Sequence, residues 1–325
     1  MKRLALLALL FIPVRAFAQA PAAAPAPPPT PTETVAPDIP GVVAGGTKVL
    51  VIAQGLRGTE GPIATPDGSF IFTEQNANVL TRIAEDGTRT PYLENTNGAN
   101  GVTFDSKGRL IATQPDRAEI AVLSPGPRTV LASEYNGQKL SRPNDLIADK
   151  KGGIYFTDPG ANPPAGQPAG PTAVYYIRPN GTLLRIATDI TRPNGIILSK
   201  NERVLYVANT LGDSVIAFDV DADGSVSNRR DFAKLEGVTP TPTGVRSGAD
   251  GLAVDETGRL FVATQIGVQV FTPQGRHLGT IPVGITGGPQ NIAFAGPGKK
   301  TLYIVGRGSA WKVAMLNEGI KSRAK

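Results

Sequence analysis

The feature that most constrains this chain is a phrase that it repeats six times. Each copy opens on a residue with a side-chain oxygen and continues as an alternating apolar stretch. It then turns on a short polar loop, usually with glycine, and returns as a second β-rich run. The copies are EGPIATPDGSFIFTE from Glu60, NGVTFDSKGRLIATQ from Asn100, NDLIADKKGGIYFTDP from Asn144, NGIILSKNERVLYVANT from Asn194, DGLAVDETGRLFVATQ from Asp250 and QNIAFAGPGKKTLYIVG from Gln290. Their first residues lie 40, 44, 50, 56 and 40 positions apart. Such periods suit four-stranded propeller blades and not the shorter solenoid repeats.

Each phrase reads as a hairpin of two period-2 strands, joined by turns such as Pro66-Asp67-Gly68 or Glu256-Thr257-Gly258. A second strand pair fits in the remainder, as in VLTRIAEDGTRTPYL after the first copy. The expected fold is therefore all-β, a six-bladed β-propeller over 45–316 with a metal site in its central channel. Radial repetition leaves only short, protected sheet edges. Lys48 to Ala53 precedes the first copy and Ala310 to Val313 follows the last, so the two can close one blade together. Period-3.6 stretches are nearly absent, which disfavours a helical solenoid.

In a propeller the innermost strand of each blade runs along the central channel, so equivalent positions form a ring around the axis. Here that ring is Glu60, Asn100, Asn144, Asn194, Asp250 and Gln290, all with a side-chain oxygen and none basic or apolar. Two carboxylates facing each other across a narrow channel repel unless a cation lies between them. Carboxylate and amide oxygens together are the ligands that calcium accepts. The chain has no cysteine, and its single histidine, His277, falls outside the ring in what reads as an exposed turn of the fifth blade. One divalent metal is expected, calcium first, with magnesium, manganese or zinc as the other candidates. The competing reading is that the ring only caps turns and hydrogen-bonds the channel rim.

The first residues have a different character. Lys2 and Arg3, the apolar run from Leu4 to Pro13 and the small-residue site Ala16-Phe17-Ala18 form the layout of a secretory signal peptide over 1–18. A periplasmic or secreted location is the expectation, without membrane insertion after cleavage. Removing that segment takes the formal charge from +6 to +3, and no basic run of five or more remains, so a nucleic acid partner has little support. Residues 19–44 are rich in Pro and Ala and read as a disordered linker. Residues 317–325 read as a short basic tail, and a monomer is expected.

EGP at Glu60, RPND from Arg142 to Asp145, PNG from Pro193 to Gly195 and ADG from Ala249 to Gly251 stand in order at blade spacing. On these four motifs the chain resembles the senescence-marker-protein/gluconolactonase family, relatives of the diisopropyl-fluorophosphatase and paraoxonase propellers. The resemblance covers Lys48 to Val313. It implies that Glu60, Asn144, Asn194 and Asp250 hold a catalytic calcium-type ion, with Glu60 and Asp250 the catalytic carboxylates. It further implies that Arg142 and Asn144 meet the substrate and that Asp250 is the proton acceptor or nucleophile. Asn100 would help Arg142 orient ring hydroxyls, and Gln290 falls to the rim. The chain departs from the paraoxonase pattern in lacking a catalytic histidine at the channel mouth.

The implied activity is a carboxylic ester hydrolase, a gluconolactonase-like lactonase acting on a small, sugar-derived lactone. Two other functions fit the same fold: a phosphotriesterase that uses the same metal and oxygens, and a non-catalytic propeller that binds a protein or glycan. The insertion GANPPAGQPAGPTA at 160–173 can be a lid over the metal face or a solvated rim loop.

Overall fold

A computed structural model describes residues 29–84, 86–161 and 170–325. Within them, six antiparallel sheets form the blades of a propeller. Their innermost strands are Thr59–Ala64, Val102–Phe104, Leu146–Ala148, Pro193–Leu198, Leu252–Val254 and Asn291–Ala295. Blades I to V occupy 59–94, 102–132, 146–187, 193–234 and 252–281, each running from its inner to its outer strand in chain order.

The sixth blade is composite. Its strands Asn291–Ala295, Thr301–Gly306 and Ser309–Ala314 are completed by Lys48–Gln54. That strand pairs antiparallel with Ser309–Ala314 through Leu50↔Lys312 and Val51↔Trp311. The two ends expected to close one blade do so.

The inner hairpins form because their turns are locally encoded. Asp105 Oδ1 accepts the backbone N–H of Lys107 at 2.9 Å and of Arg109 at 2.8 Å. Asp149 does the same for Lys151 and Gly153, and Asp255 for Thr257 and Arg259. An aspartate that bonds the N–H two residues on builds the turn from its own side chain. Apolar faces of adjacent blades then bury one another. Phe70 of blade I stacks on Tyr303 of blade VI at 4.2 Å. In blade III, Tyr155 stacks on Tyr176 at 4.2 Å, and the Tyr176 hydroxyl donates to Asp149 at 2.7 Å.

Both ends of the domain extend further than the repeats suggest. The linker expected over 19–44 is not a spacer in its described part. Thr34–Val35 adds a strand outside Lys48–Gln54, Thr32 bridges to Gly284, and Ala36, Ile39, Val42 and Val43 are buried against blades V and VI. Proline lacks a donor and cannot sit in a central strand, yet it is tolerated at a sheet edge, which is where this segment lies. The tail expected over 317–325 is not free either: Ile320, Arg323 and Lys325 are all buried. The signal segment 1–18 and residues 19–28 lie outside the described residues. No described helix is long and apolar enough to cross a membrane.

Candidate active site

The six ring residues stand at the same end of the channel, at or just before the start of each innermost strand. The register of the inner hairpins puts them there. Glu60 pairs with Thr73, and the backbone N–H groups of Asn100, Asn144, Asp250 and Gln290 donate to Thr113, Thr157, Ala263 and Val305.

Threonines on or just past the second strands tie the first four blades each to the next. Thr73 Oγ1 donates to the Asn100 carbonyl at 2.8 Å, Thr113 to Asn144 at 2.5 Å and Thr157 to Asn194 at 2.7 Å. Thr210 donates to Ala249, the residue before Asp250, at 2.7 Å. The backbones also touch directly. A Cβ on Gly195 would stand 2.1 Å from the Asp250 carbonyl oxygen, and one on Gly61 2.2 Å from that of Asn100. Only glycine lets neighbouring ring residues approach this closely.

The side chains divide into two groups. Glu60 is held in place: Oε1 accepts from Gln290 Nε2 at 3.1 Å, and Oε2 from Asn291 Nδ2 at 3.1 Å and the Gly61 N–H at 3.3 Å. Gln290 is fixed in turn by the Arg307 N–H at 2.8 Å. Gln290 thus orients a ring carboxylate.

The second group is left unpaired. Asn100 Oδ1, Asn194 Oδ1 and Asp250 Oδ1 are buried and have no hydrogen-bond partner among the described residues. Asn194 donates its Nδ2 to Thr210 at 3.1 Å, so its carbonyl oxygen is the free end. A buried polar atom without a partner costs about 1–3 kcal/mol, and three on one ring ask for a ligand. Asn144 is half-buried beside them.

The electrostatics agree. Burial pushes the Glu60 carboxyl up to about 7; the Asn291 hydrogen bond opposes this and the charge of Asp145 adds to it. Burial, then the charges of Glu60 and Asp145, raises Asp250 well above the usual carboxylate range. A cation among these oxygens would relieve both the desolvation and the repulsion. Two carboxylates with amide oxygens fit a hard divalent ion. Among the described residues no cluster of three or more His, Cys, Asp or Glu side chains is arranged to hold a metal, so the amide oxygens are essential to this reading.

A pH dependence follows for protein freed of metal. Glu60 holds its proton to about 7 when folded, against 4.5 as its ordinary value. Between these values the unfolded carboxyl ionises first, so stability falls as pH rises through that window. At about 1.4 kcal/mol per pKa unit, the loss is up to about 3 kcal/mol by pH 7. Thermal melts of chelator-treated protein from pH 5 to 8 should show this decline, and Glu60→Gln should make it shallower, leaving the part that the raised Asp250 carboxyl contributes. Equal slopes for the two proteins would remove Glu60 as its source.

The approach to the ring is also built from a repeat. Residues near the ends of the second strands pin the loops that lead into the ring. Glu74 accepts from the Arg57 N–H, Asp158 from those of Ser141 and Arg142 at 2.7 and 2.8 Å, and Asn209 from that of Arg192 at 3.0 Å. Arg142 is held at the rim in this way. Arg192, two residues before Asn194 as Arg142 is before Asn144, takes the same place in the next blade. Burial lowers the pKa of the Arg192 side chain; Arg142 and Arg246 push the same way, and Asp250 opposes them. The repeated Arg-Pro-Asn at 142–144 and 192–194 is the signal that could have revealed Arg192.

Asp145 and Asn291 were missed as well. They occupy, in blades III and VI, the position that is Gly61, Gly101, Gly195 and Gly251 in the other four. His277 is not an exposed turn residue: it begins the outer strand His277–Ile281, is half-buried and lies 3.1 Å from Glu236. It remains outside the ring. The insertion after Asp158 leaves from the ring face, since Asp158 pairs with Ala173 at that end of blade III. Its residues 162–169 lie outside the described residues. A cavity of about 810 Å³ opens instead at the opposite end of the channel, lined by the inner-hairpin turns and residues 321–324.

Known proteins are similar to this chain in sequence and architecture. The family described as SMP-30/gluconolactonase/LRE-like region matches residues 58–307. A gluconolactonase of Zymomonas mobilis subsp. mobilis is 27% identical over 302 residues, covering 83% of this chain and 82% of that one. The pentonolactonase XacC of Haloferax volcanii is 26% identical over 267 residues, covering 81% and 86%. Among solved structures, a gluconolactonase from Xanthomonas campestris superposes with a TM-score of 0.71 at 29% identity, covering 90% of this chain and 99% of that one.

Proposed function

The chain belongs to the SMP-30/gluconolactonase/LRE-like family, and from that membership we propose that it is a lactonase opening a sugar-derived lactone at the ring. The observation that carries this reading is the set of buried oxygens without partners, Asp250 Oδ1, Asn194 Oδ1 and Asn100 Oδ1, beside the fixed carboxylate of Glu60. The similarity to a gluconolactonase and a pentonolactonase supports the substrate class.

Glu60, Asn144, Asn194 and Asp250 would hold one divalent cation, and their hard oxygens favour calcium. Such an ion, when bound, polarises a carbonyl and stabilises negative charge on its oxygen. The remaining work belongs to side chains. Arg142 and Arg192 present guanidinium donors at the mouth, and a fixed fork of donors suits the hydroxyl and carbonyl oxygens of a sugar lactone. Asn100, with an unpaired buried oxygen, can accept from a substrate hydroxyl. Asp250 is the base: its Oδ1 is buried in the ring without a hydrogen-bond partner among the described residues, so a carboxylate oxygen is available to take a proton from an attacking water. Water adds to the carbonyl carbon and its proton passes to Asp250; the ring C–O bond then breaks, and Asp250 returns that proton to the leaving oxygen to give the hydroxy acid.

The direct test sets a glucono- or pentonolactone beside a phosphotriester in one assay. Lactone turnover well above phosphotriester turnover is expected. Turnover of the phosphotriester alone would reassign the chemistry, and turnover of neither would favour a binding scaffold. We also propose that residues 1–18 direct export. N-terminal sequencing of protein from the periplasm or medium should begin after Ala18, and recovery of the intact chain from the cytoplasm alone would refute this.

A further inference from the structure

The segment 317–325 has no counterpart in the six repeats, and it runs across the channel end opposite the ring. Gly319 donates its N–H to the Lys299 carbonyl at 2.9 Å, and Glu256 donates to that of Glu318 at 2.9 Å. Arg323 donates to the carbonyls of Leu198, Ser199 and Lys200 at the inner turn of blade IV. Ala64, at the far end of the first inner strand, donates to the Ala324 carbonyl at 2.7 Å. Blades I, IV, V and VI thus grip the segment from four sides.

These contacts carry Lys325 into the channel. Its side chain and that of Asp145 are each 1% exposed, and Nζ lies 2.5 Å from Asp145 Oδ2. An ammonium group is not buried this deeply without a partner. Asp145 is the residue after Asn144, one step below the ring, where four other blades have glycine. Its Oδ1 accepts the Leu146 N–H at 2.9 Å and its Oδ2 that of Ile196 at 3.4 Å. It is a third carboxylate on the channel axis: its charge raises the pKa of both Glu60 and Asp250, and the charge of Lys325 lowers both.

The formal charges follow. Within the channel, Glu60, Asp145 and Asp250 bring three negative charges and Lys325 returns one, while the exposed Arg307 acts on Asp250 from outside; what remains among the buried groups is what one divalent ion neutralises. We propose that Lys325 is a positioning residue of the metal centre, a built-in monocation paired with Asp145 that sets the channel to accept one divalent ion in preference to a trivalent one. This rests on the reading of Glu60, Asn144, Asn194 and Asp250 as a metal centre. The pair also explains why a lysine should be drawn through the whole depth of the far end of the channel: without it Asp145 would be a buried, uncompensated carboxylate.

The test is a charge cycle read by binding. The full chain, Lys325→Met, Asp145→Asn and the double variant are freed of metal, and Ca²⁺ and Tb³⁺ are titrated separately by calorimetry. Lys325→Met is expected to shift the Tb³⁺/Ca²⁺ affinity ratio about tenfold toward Tb³⁺, and Asp145→Asn to weaken Ca²⁺ binding by about tenfold. The double variant restores the net charge and should return both constants to near those of the parent. If Lys325→Met does not fold, recovery of Ca²⁺ binding from Asp145→Asn to the double variant still decides. Unchanged constants in the single variants, or no restoration in the double, overturn the role of Lys325 alone. A parent chain that binds neither ion overturns the metal reading itself.

Discussion

Asp250→Asn is expected to lower kcat/KM for a sugar lactone by about 10³-fold, within the range that general-base groups contribute. The substitution preserves shape and leaves an oxygen in the ring, so the protein should fold. It removes the charge that the ring needs and the group that accepts the proton. These two losses separate experimentally. Calcium affinity, measured by calorimetry, should weaken, and saturating calcium should restore occupancy but not kcat. The cause lies in the geometry: Asp250 is one of two ring carboxylates, and its Oδ1 is buried without a partner. Burial and the charges of Glu60 and Asp145 raise its pKa. If kcat at saturating calcium stays within about threefold of the parent, Asp250 serves as a ligand only and the base must be sought elsewhere.

Removal of the metal should have an effect of similar size. Dialysis against a chelator is expected to reduce lactone turnover at least about 100-fold, because the loss takes away the positive charge opposite the developing oxyanion. Added calcium should restore the activity, and the order of rescue among calcium, manganese, magnesium and zinc would identify the ion the site prefers. Glu60→Gln should imitate the loss at ordinary calcium concentrations. Glu60 accepts from Gln290, Asn291 and the Gly61 N–H, so the amide keeps the shape but loses the charge and at least one of these hydrogen bonds, since its NH2 cannot accept. About 100-fold weaker calcium binding is the expected result, roughly 2.7 kcal/mol. Full activity in chelator-dialysed protein shown to be metal-free would sink the metal reading, and unchanged calcium binding in Glu60→Gln would remove that residue from the ligand set.

The parts of this protein that are local in the chain were legible in its sequence. Each inner hairpin carries its own turn, as Asp105 and Asp255 do by bonding the N–H groups two and four residues on. Six such hairpins, each opening on an oxygen-bearing residue, are enough to imply six blades and a ring. Arg142 was found through its motif. Its counterpart Arg192 was not, although the same Arg-Pro pair precedes Asn194.

What the sequence left open depends on partners far away in the chain. Gln290 and Asn291 orient Glu60 from 230 and 231 positions away, across the seam where the last blade meets the first. Residues 29–44 look like a spacer because proline hides any period, and they fold because the edge of the sixth blade and the surface of the fifth offer a place to bury Val42 and Val43. Residues 317–325 look like a solvated tail because they are polar and aperiodic, and they enter the channel, where Lys325 pairs with Asp145. The repeat by itself determined the blades and the ring, since hairpin formation is encoded within a few residues. The tertiary structure decided which ring oxygens are fixed and which are free, and which charges meet beneath them, because those depend on how the circle closes.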